Sequence, residues 1–403
     1  MSTTEQRDVP WFVSVDDHVL EPPNLWTSRL PAKYSDVWPR YERMPVGRTR
    51  YVNGGFVTES DTEGVVTDVW RFEDVIKPIR RNIAAAGLDR SQMDLNPIGF
   101  DEMRKGVYDP VGRIADMDLN HVEAALCFPQ MSRFCGQEFS ETKNKELGLL
   151  CIKAYNDWMA DDWCATDRRR LIPLIMVPLW DPEVAAAEVY RMAERGVHAV
   201  TFSENPYTLG FGSIHSGHWD PFFRACAESA MTVCMHIGSS SQMQTVSPDA
   251  PPAVSTALTF NNASASLSEF LFSGVLWRFP ELRLAYSESQ AGWIPYALER
   301  ADTTWTEHRA WNGMDGVEME PPSFYYYRQI FSCVFRDYFS MRNIADVGED
   351  NVTFEVDYPH TDSTFPNTLQ VATEMFAPLT DEQMHKVARG NAIRMLHLDL
   401  DQD

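Results

Sequence analysis

The stretch Val13-Ser14-Val15-Asp16-Asp17-His18-Val19 runs from apolar residues into an Asp-x-His. Side chains alternate faces along an extended strand, so Asp16 and His18 point one way while Asp17 and Val19 point the other. A carboxylate and an imidazole on one face at a strand end make half of a divalent-metal site. Two later segments offer the other half: residues 231–238 end in His236-Ile237-Gly238, and residues 352–360 carry Asp357. One ion bound by Asp16, His18, His236 and Asp357 satisfies all four polar groups at once. This two-nitrogen, two-oxygen set admits one divalent ion, with zinc expected and manganese or iron compatible. Asp357, bound through one oxygen, keeps the other to take a proton from a metal-activated water and hand it on. Glu288 is assigned as a second acid/base, or else as the carboxylate of a helix N-terminus before Gly292. His360 either orients substrate or braces a ligand. Glu21 either ligates or accepts a hydrogen bond from His18. His215 and His218, in a small-residue loop after the fourth strand, are assigned to the substrate pocket.

Such residues act together only if the fold brings their strand ends to one mouth. Apolar strands near residues 13, 123, 172, 198, 232, 283, 330 and 353 alternate with helical stretches, among them 140–168, 252–278, 292–308 and 380–396. Short apolar strands alternating with helices predict a parallel α/β architecture. Eight such units predict a closed (β/α)8 TIM barrel, whose active site lies at the C-terminal strand ends. A doubly wound sheet favours a Gly-rich first turn, and the first strand here ends in Asp-Asp-His-Val-Leu-Glu instead. Residues 24–112 are rich in Pro, Gly, Arg and aromatics and read as a long loop-rich insertion after the first strand. It either caps the site or makes a subunit contact. Residues 1–403 are therefore read as a single barrel domain.

The chain has 35 basic and 58 acidic residues among 403, a net charge of -23. That balance argues against nucleic acid or an anionic membrane as partner, because both demand clustered cations. The seven cysteines show no Cys-x-x-Cys and read as reduced thiols of a cytosolic protein. The first residues lack an apolar signal core, and no apolar run approaches a bilayer's thickness. The expected setting is the cytoplasm and the expected partner a small-molecule substrate.

Several segments recur in one order across nearly the whole chain: Asp16-x-His18-x-x-Glu21-Pro22, Arg113-Ile114-Ala115-Asp116-Met117-Asp118, His236-Ile237-Gly238, Glu288 with Gly292-Trp293-Ile294-Pro295, Asp357-Tyr358-Pro359-His360, and Gly390-Asn391-Ala392. In these the chain resembles the amidohydrolase superfamily, specifically the amidohydrolase-related branch containing aminocarboxymuconate-semialdehyde decarboxylase and resorcylate-type decarboxylases. The resemblance implies a (β/α)8 barrel with one divalent metal, commonly zinc or manganese, and puts Asp16, His18, His236 and Asp357 on its ligand positions. With the aromatic surplus it also implies a homodimer, and Trp293 is expected to contact substrate. Many relatives carry His-x-His or Glu-x-His on the first strand, where this chain has Asp16-x-His18. Decarboxylase relatives place a histidine after strand six, near where Glu288 stands here. The expected activity is metal-dependent hydrolysis of a small cyclic or aromatic acid, amide or diketone by a metal-activated water. The alternative is non-oxidative decarboxylation of an aromatic or unsaturated carboxylate, with Asp357 protonating carbon. That reading needs cations at the mouth, and Arg133 and Arg336 are the candidates. A non-catalytic metal-binding barrel is the third reading, and the presence of all four ligands argues against it.

Overall fold

In the computed structural model, which describes residues 8–400, the strands are β1 (Phe12–Val19), β2 (Arg40–Val46), β3 (Thr49–Val52), β4 (Gly55–Thr58), β5 (Val65–Phe72), β6 (Val75–Pro78), β7 (Val122–Pro129), β8 (Leu171–Ile172), β9 (Leu174–Ile175), β10 (Ala199–Thr201), β11 (Thr232–His236), β12 (Arg283–Ser287), β13 (Ile330–Val334) and β14 (Val352–Phe354). Nine of them form one parallel sheet in the order β8-β7-β1-β14-β13-β12-β11-β10-β9. Its two ends, β8 and β9, are dipeptides separated only by Pro173. Proline has no N–H to give the ladder, so one predicted strand is split in two. Its first half pairs with β7 and its second with β10, and the sheet closes into the expected eight-membered barrel.

Inward side chains from alternate positions fill the barrel: Val13 and Val15 of β1, Leu126 and Phe128 of β7, Cys234 of β11 and Phe331 of β13 are all buried together. Each such side chain contributes about 1.5–3 kcal/mol on leaving water. The C-terminal helix (Asn391–Leu396) closes the N-terminal end of the barrel, where Thr232 Oγ1 donates to the Met395 carbonyl at 2.6 Å. Asn391 ties it to the start of β14, donating to the Glu349 and Val352 carbonyls at 2.8 and 2.7 Å. With that end plugged by Met395 and Leu396, polar groups can collect only at the opposite mouth.

One irregularity aims the first two site residues. The pairing of β1 with β7 slips between Ser14↔Ala125 and Asp17↔Cys127, so three steps on β1 match two on β7. Such a bulge shifts the alternation of side chains by one residue. Val13 and Val15 face the core, and after the slip Asp16 and His18 do.

The 24–112 segment builds two small antiparallel sheets, β2-β5-β6 and the hairpin β3-β4. It docks on the mouth: Ala85 N donates to Pro359 O at 2.7 Å, and Thr361 N to Asn82 O at 3.1 Å. Its hairpin turn reaches the loop after β11, where a Cβ on Gly54 would stand 3.1 Å from the Met243 carbonyl. Of the two roles open for this segment, capping is the one its position supports. Other expectations need correction. The helix expected over 140–168 is Gln137–Glu141 and Lys145–Trp158, continued by a wide π turn (Met159–Trp163) and a tight 3-10 turn (Cys164–Thr166). The one expected over 252–278 breaks into Pro252–Ala257, Phe260–Phe272 and Val275–Arg278, the last break at left-handed Gly274. The strand read through residue 360 stops at Phe354, and Glu355 to His360 turn across the mouth. Among the described residues no helix is long and apolar enough to cross a membrane.

Candidate metal centre

β1, β11 and the segment after β14 bring the four expected ligands to one buried point. His18 Nε2 lies 3.6 Å from Asp16 Oδ1 and 3.4 Å from Asp357 Oδ1, and His236 Nε2 lies 3.4 Å from Asp16 Oδ2. Donor atoms on a tetrahedron with arms of about 2.1 Å stand roughly 3.4 Å apart, so these spacings suit one first-row divalent ion. The donors form two overlapping triads, Asp16–His18–His236 and His18–Asp357–His360, which share His18. His360, expected only as an accessory, thus joins His18 and Asp357 in the second triad.

The case for a cation rests on unpaired atoms. Both carboxylate oxygens of Asp16 and of Asp357, both ring nitrogens of His18 and Nε2 of His236 are buried without a hydrogen-bond partner among the described residues. Buried polar atoms ordinarily find partners, because each left alone costs about 1–3 kcal/mol. Among the described residues, no lysine or arginine pairs with Asp16, Asp357, Glu288 or Glu355; histidines lie against the first three, and the Cys333 thiol donates to Glu355. Burial, then the Glu355 carboxylate, hold the Asp16 and Asp357 carboxyls well above the usual range. Burial also drives His18 well below its ordinary value and His236 down to about 3, so both imidazoles are neutral, the form that ligates. His236 Nδ1 lies 2.6 Å from the Ile237 carbonyl and so carries the proton, leaving the Nε2 lone pair to the cluster. The donor set fits a divalent cation: the charge it lacks is positive, and its free atoms are lone pairs.

Glu288 joins this cluster, its Oε2 3.6 Å from His236 Nε2. Glu288 and Asp357 both sit in the left-handed region, at φ 55° and 56°. A non-glycine residue there costs about 1 kcal/mol or more, which the surrounding contacts must over-determine. The His360 ring stacks on His18 at 3.8 Å between centroids. Its Nδ1 lies 2.9 Å from Asp357 Oδ1 and its Nε2 is 2.8 Å from Gln130 Oε1. Burial lowers its proton affinity to about 4. The side chains of Glu288 and His360 are 16% and 11% exposed against at most 1% for the four ligands, so the cluster opens to solvent between these two. Phe134 closes another side, its ring 4.0 Å from that of His236.

Three side chains here were not foreseen. Glu355, two residues before Asp357, is fully buried beside Asp16. It accepts from Glu288 N at 3.1 Å and from the Cys333 thiol, its Oε1 has no hydrogen-bond partner among the described residues, and burial pushes it up to about 7. Gln130 follows β7 and meets His360. Arg80, from the insertion, donates through Nε to Asn82 Oδ1 at 3.3 Å and lies over the Phe56 ring at 3.9 Å. Among the described residues Arg80 has no carboxylate partner, and its charge is felt at His360.

Other expected residues lie elsewhere. Glu21 neither ligates nor contacts the His18 ring: its carboxylate accepts from Met131 N at 2.8 Å, Ser132 N at 3.2 Å and Ser132 Oγ at 2.9 Å, pinning the loop after β7. His215 turns to the surface and pairs with Glu269 at 2.9 Å. His218 packs edge-on against Trp219 and crowds Gly212. Neither is brought to the cluster, because the loop after β10 turns both outward. Trp293 donates from Nε1 to Ser289 O at 2.9 Å and leans on Phe260, which makes it a brace for the Glu288 turn. Arg133 is occupied by Glu138, Glu141 and Ser241. Arg336 donates to the Asp362 and Ser363 carbonyls but is not remote from the cluster, since the Asp357 charge is felt at its guanidinium.

A sequence profile described as amidohydrolase matches residues 69–398. No curated protein matches the chain. Among solved structures, an amidohydrolase from Mycobacterium avium subsp. paratuberculosis is similar at TM-score 0.67 and 20% identity, covering 96% of this chain and 99% of that one. The 5-carboxyvanillate decarboxylase of Novosphingobium aromaticivorans, complexed with manganese and 4-hydroxy-3-methoxy-5-nitrobenzoic acid, is similar at TM-score 0.63 and 16% identity, covering 98% of each chain. The 2,6-dihydroxybenzoate decarboxylase of Rhizobium is similar at TM-score 0.57 and 14% identity, covering 97% of this chain and 99% of that one. At such identities the likeness speaks for the shared barrel.

Proposed function

Since the chain belongs to the amidohydrolase family, we propose that it is a metal-dependent carboxy-lyase, removing CO2 without oxidation from an aromatic or unsaturated carboxylate. The observation that carries this reading is that two groups lacking a complement meet at this cluster: Asp357 within it, and Arg80, whose charge is felt at His360. One is a buried acid whose oxygens have no hydrogen-bond partner; the other is a guanidinium with no acid partner. The named activities of the Novosphingobium and Rhizobium proteins support it, and the manganese of the former favours manganese over zinc here. Asp16, His18, His236 and Asp357 are the proposed ligands, with His360 beside them.

A divalent cation at that point would offset the buried carboxylates and draw electron density from the substrate's oxygens. The chain's own groups do the rest. Arg80 holds the substrate's carboxylate or an adjacent oxygen by charge and forked N–H donors. Phe134 gives an apolar wall for a planar ring. As the C–C bond breaks, its electron pair stays on the substrate carbon, and the Asp357 carboxyl delivers a proton to that carbon. Water entering past Glu288 and His360 restores the proton. Gln130 fixes the His360 ring, which in turn fixes Asp357.

Hydrolysis remains the second reading, because Glu288 is a further carboxylate near enough to accept a proton from water. Incubating the manganese-loaded protein with hydroxybenzoates and with cyclic amides and esters separates the two. The proposal expects CO2 from the first group and no acid from the second; acid release without CO2 would contradict it. Arg80→Ala is expected to raise KM for the active carboxylate about tenfold or more while kcat changes less, since the lost contact is a charge-assisted anchor. An unchanged KM would remove Arg80 from the pocket.

A further inference from the structure

The matching segment that opens with Arg113 has no place in the chemistry above, yet Arg113 is buried on every side behind the ligand strand. It lies on the helix Pro110–Leu119, which packs beside β7. Its Nη2 donates to the carbonyl of His18, its Nε to the Gly106 carbonyl at 2.8 Å, and its Nη1 to the Cys127 thiol at 3.0 Å. Nη1 also lies 3.7 Å from Asp17 Oδ2, the carboxylate that β1 turns away from the cluster. Asp17 Oδ1 in turn accepts from the amide of Tyr358, the residue after Asp357, at 3.2 Å, and from Ser14 Oγ at 2.9 Å. The guanidinium stacks over the Tyr358 ring at 4.3 Å. Tyr358 is held from its far end, where its hydroxyl donates to Asp116 Oδ2 at 2.5 Å and Arg104 pairs with the same carboxylate at 2.6 Å.

One rigid fork therefore touches the backbone of His18 directly and the backbone beside Asp357 through Asp17 and the Tyr358 ring. His18 lies on β1 and Asp357 three residues after β14, near opposite ends of the sequence, and His18 is common to both donor triads. We infer that Arg113 is a positioning residue for the cation site, setting the interval between the His18 and Asp357 donors from behind the strands. The inference rests on the metal-centre reading and adds a residue that touches neither cation nor substrate. A lysine cannot reproduce it: an ammonium has the charge but no planar fork to span a carbonyl, a thiol and a carboxylate together.

The test titrates MnCl2 into chelator-stripped full-length protein by calorimetry, with thermal unfolding recorded alongside. Arg113→Lys is expected to weaken manganese binding about tenfold or more, as loss of a ligand's support does elsewhere. Gln329→Ala serves as a control, because it breaks buried bonds to the Phe279 and Leu282 carbonyls away from the cluster. It should lower the melting temperature and leave manganese affinity unchanged. Affinity of Arg113→Lys within about twofold of wild type would overturn the inference, as would an equal loss in the control. If Arg113→Lys does not fold, Asp17→Asn carries the test, with weaker binding expected and unchanged binding overturning it. Wild-type protein that binds no manganese would instead defeat the metal-centre reading itself, before any variant is compared.

Discussion

Asp357→Asn is expected to lower kcat by about three orders of magnitude for whichever carboxylate the enzyme consumes, within the span that loss of a positioned proton donor ordinarily costs. The amide keeps the shape of the side chain and one oxygen, but it cannot carry and release a proton. The variant should fold as well as the parent or better. The parent side chain is fully buried, and its two oxygens have no hydrogen-bond partner among the described residues. Burial and Glu355 oppose its ionisation, a penalty that an amide does not incur. Single-turnover CO2 release, with melting temperature measured on the same sample, checks both halves. Turnover within about tenfold of the parent would remove Asp357 from the proton-transfer step.

The second large effect is an inverted dependence of stability on pH in chelator-stripped protein. Above about pH 7.5 the cluster's histidines are neutral both unfolded, where their ordinary value is about 6.5, and folded, His236 and His360 having folded values of about 3 and 4. They add nothing there. The carboxyls do: Glu355 is pushed up to about 7, and Asp16, Asp357 and Glu288 are raised well above their ordinary values. A folded state that holds protons the unfolded chain has lost is stabilised below the folded value and loses that stability as pH rises through it. Unfolding free energies from denaturant titration should therefore fall between pH 7.5 and 8.5, by on the order of 1 kcal/mol if about one proton is retained across that interval. Excess manganese should cancel or reverse the trend, because the ion binds the deprotonated carboxylates and the neutral imidazoles. Stripped protein that grows more stable toward pH 8.5 would contradict the charge balance described for the cluster.

Why part of this site was legible in the sequence, and part was not, has physical reasons. Asp16, His18, His236 and Asp357 each close or follow an apolar strand, and a polar group in that place needs a partner whatever the fold. The period of two along a strand gave Asp16 and His18 a shared face, although a bulge that no periodicity reveals is what turns that face inward. The same i, i+2 spacing relates Glu355 to Asp357, but Glu355 sits between Phe354 and Val356, inside an apolar run rather than at its end. Eight strands were countable because their apolar runs are dense, but the split at Pro173 depends on which neighbours the two halves pair with. His215 and His218 lie in a loop whose direction no local pattern sets, and it turns them to the surface. Arg80 and Gln130 reach the site only through the docking of the insertion and the turn after β7. Those are long-range contacts, without helical or strand spacing to mark them.

Elemental analysis of the purified protein, repeated on His236→Ala, tests the cation most directly. The variant removes one imidazole whose free nitrogen points at Asp16, together with its ring contacts to Phe128 and Phe134. The account predicts close to one equivalent of manganese or zinc in the parent and a large loss in the variant. Parent protein without a divalent metal after growth and dialysis in supplemented medium, or a variant that retains the full complement, would contradict it.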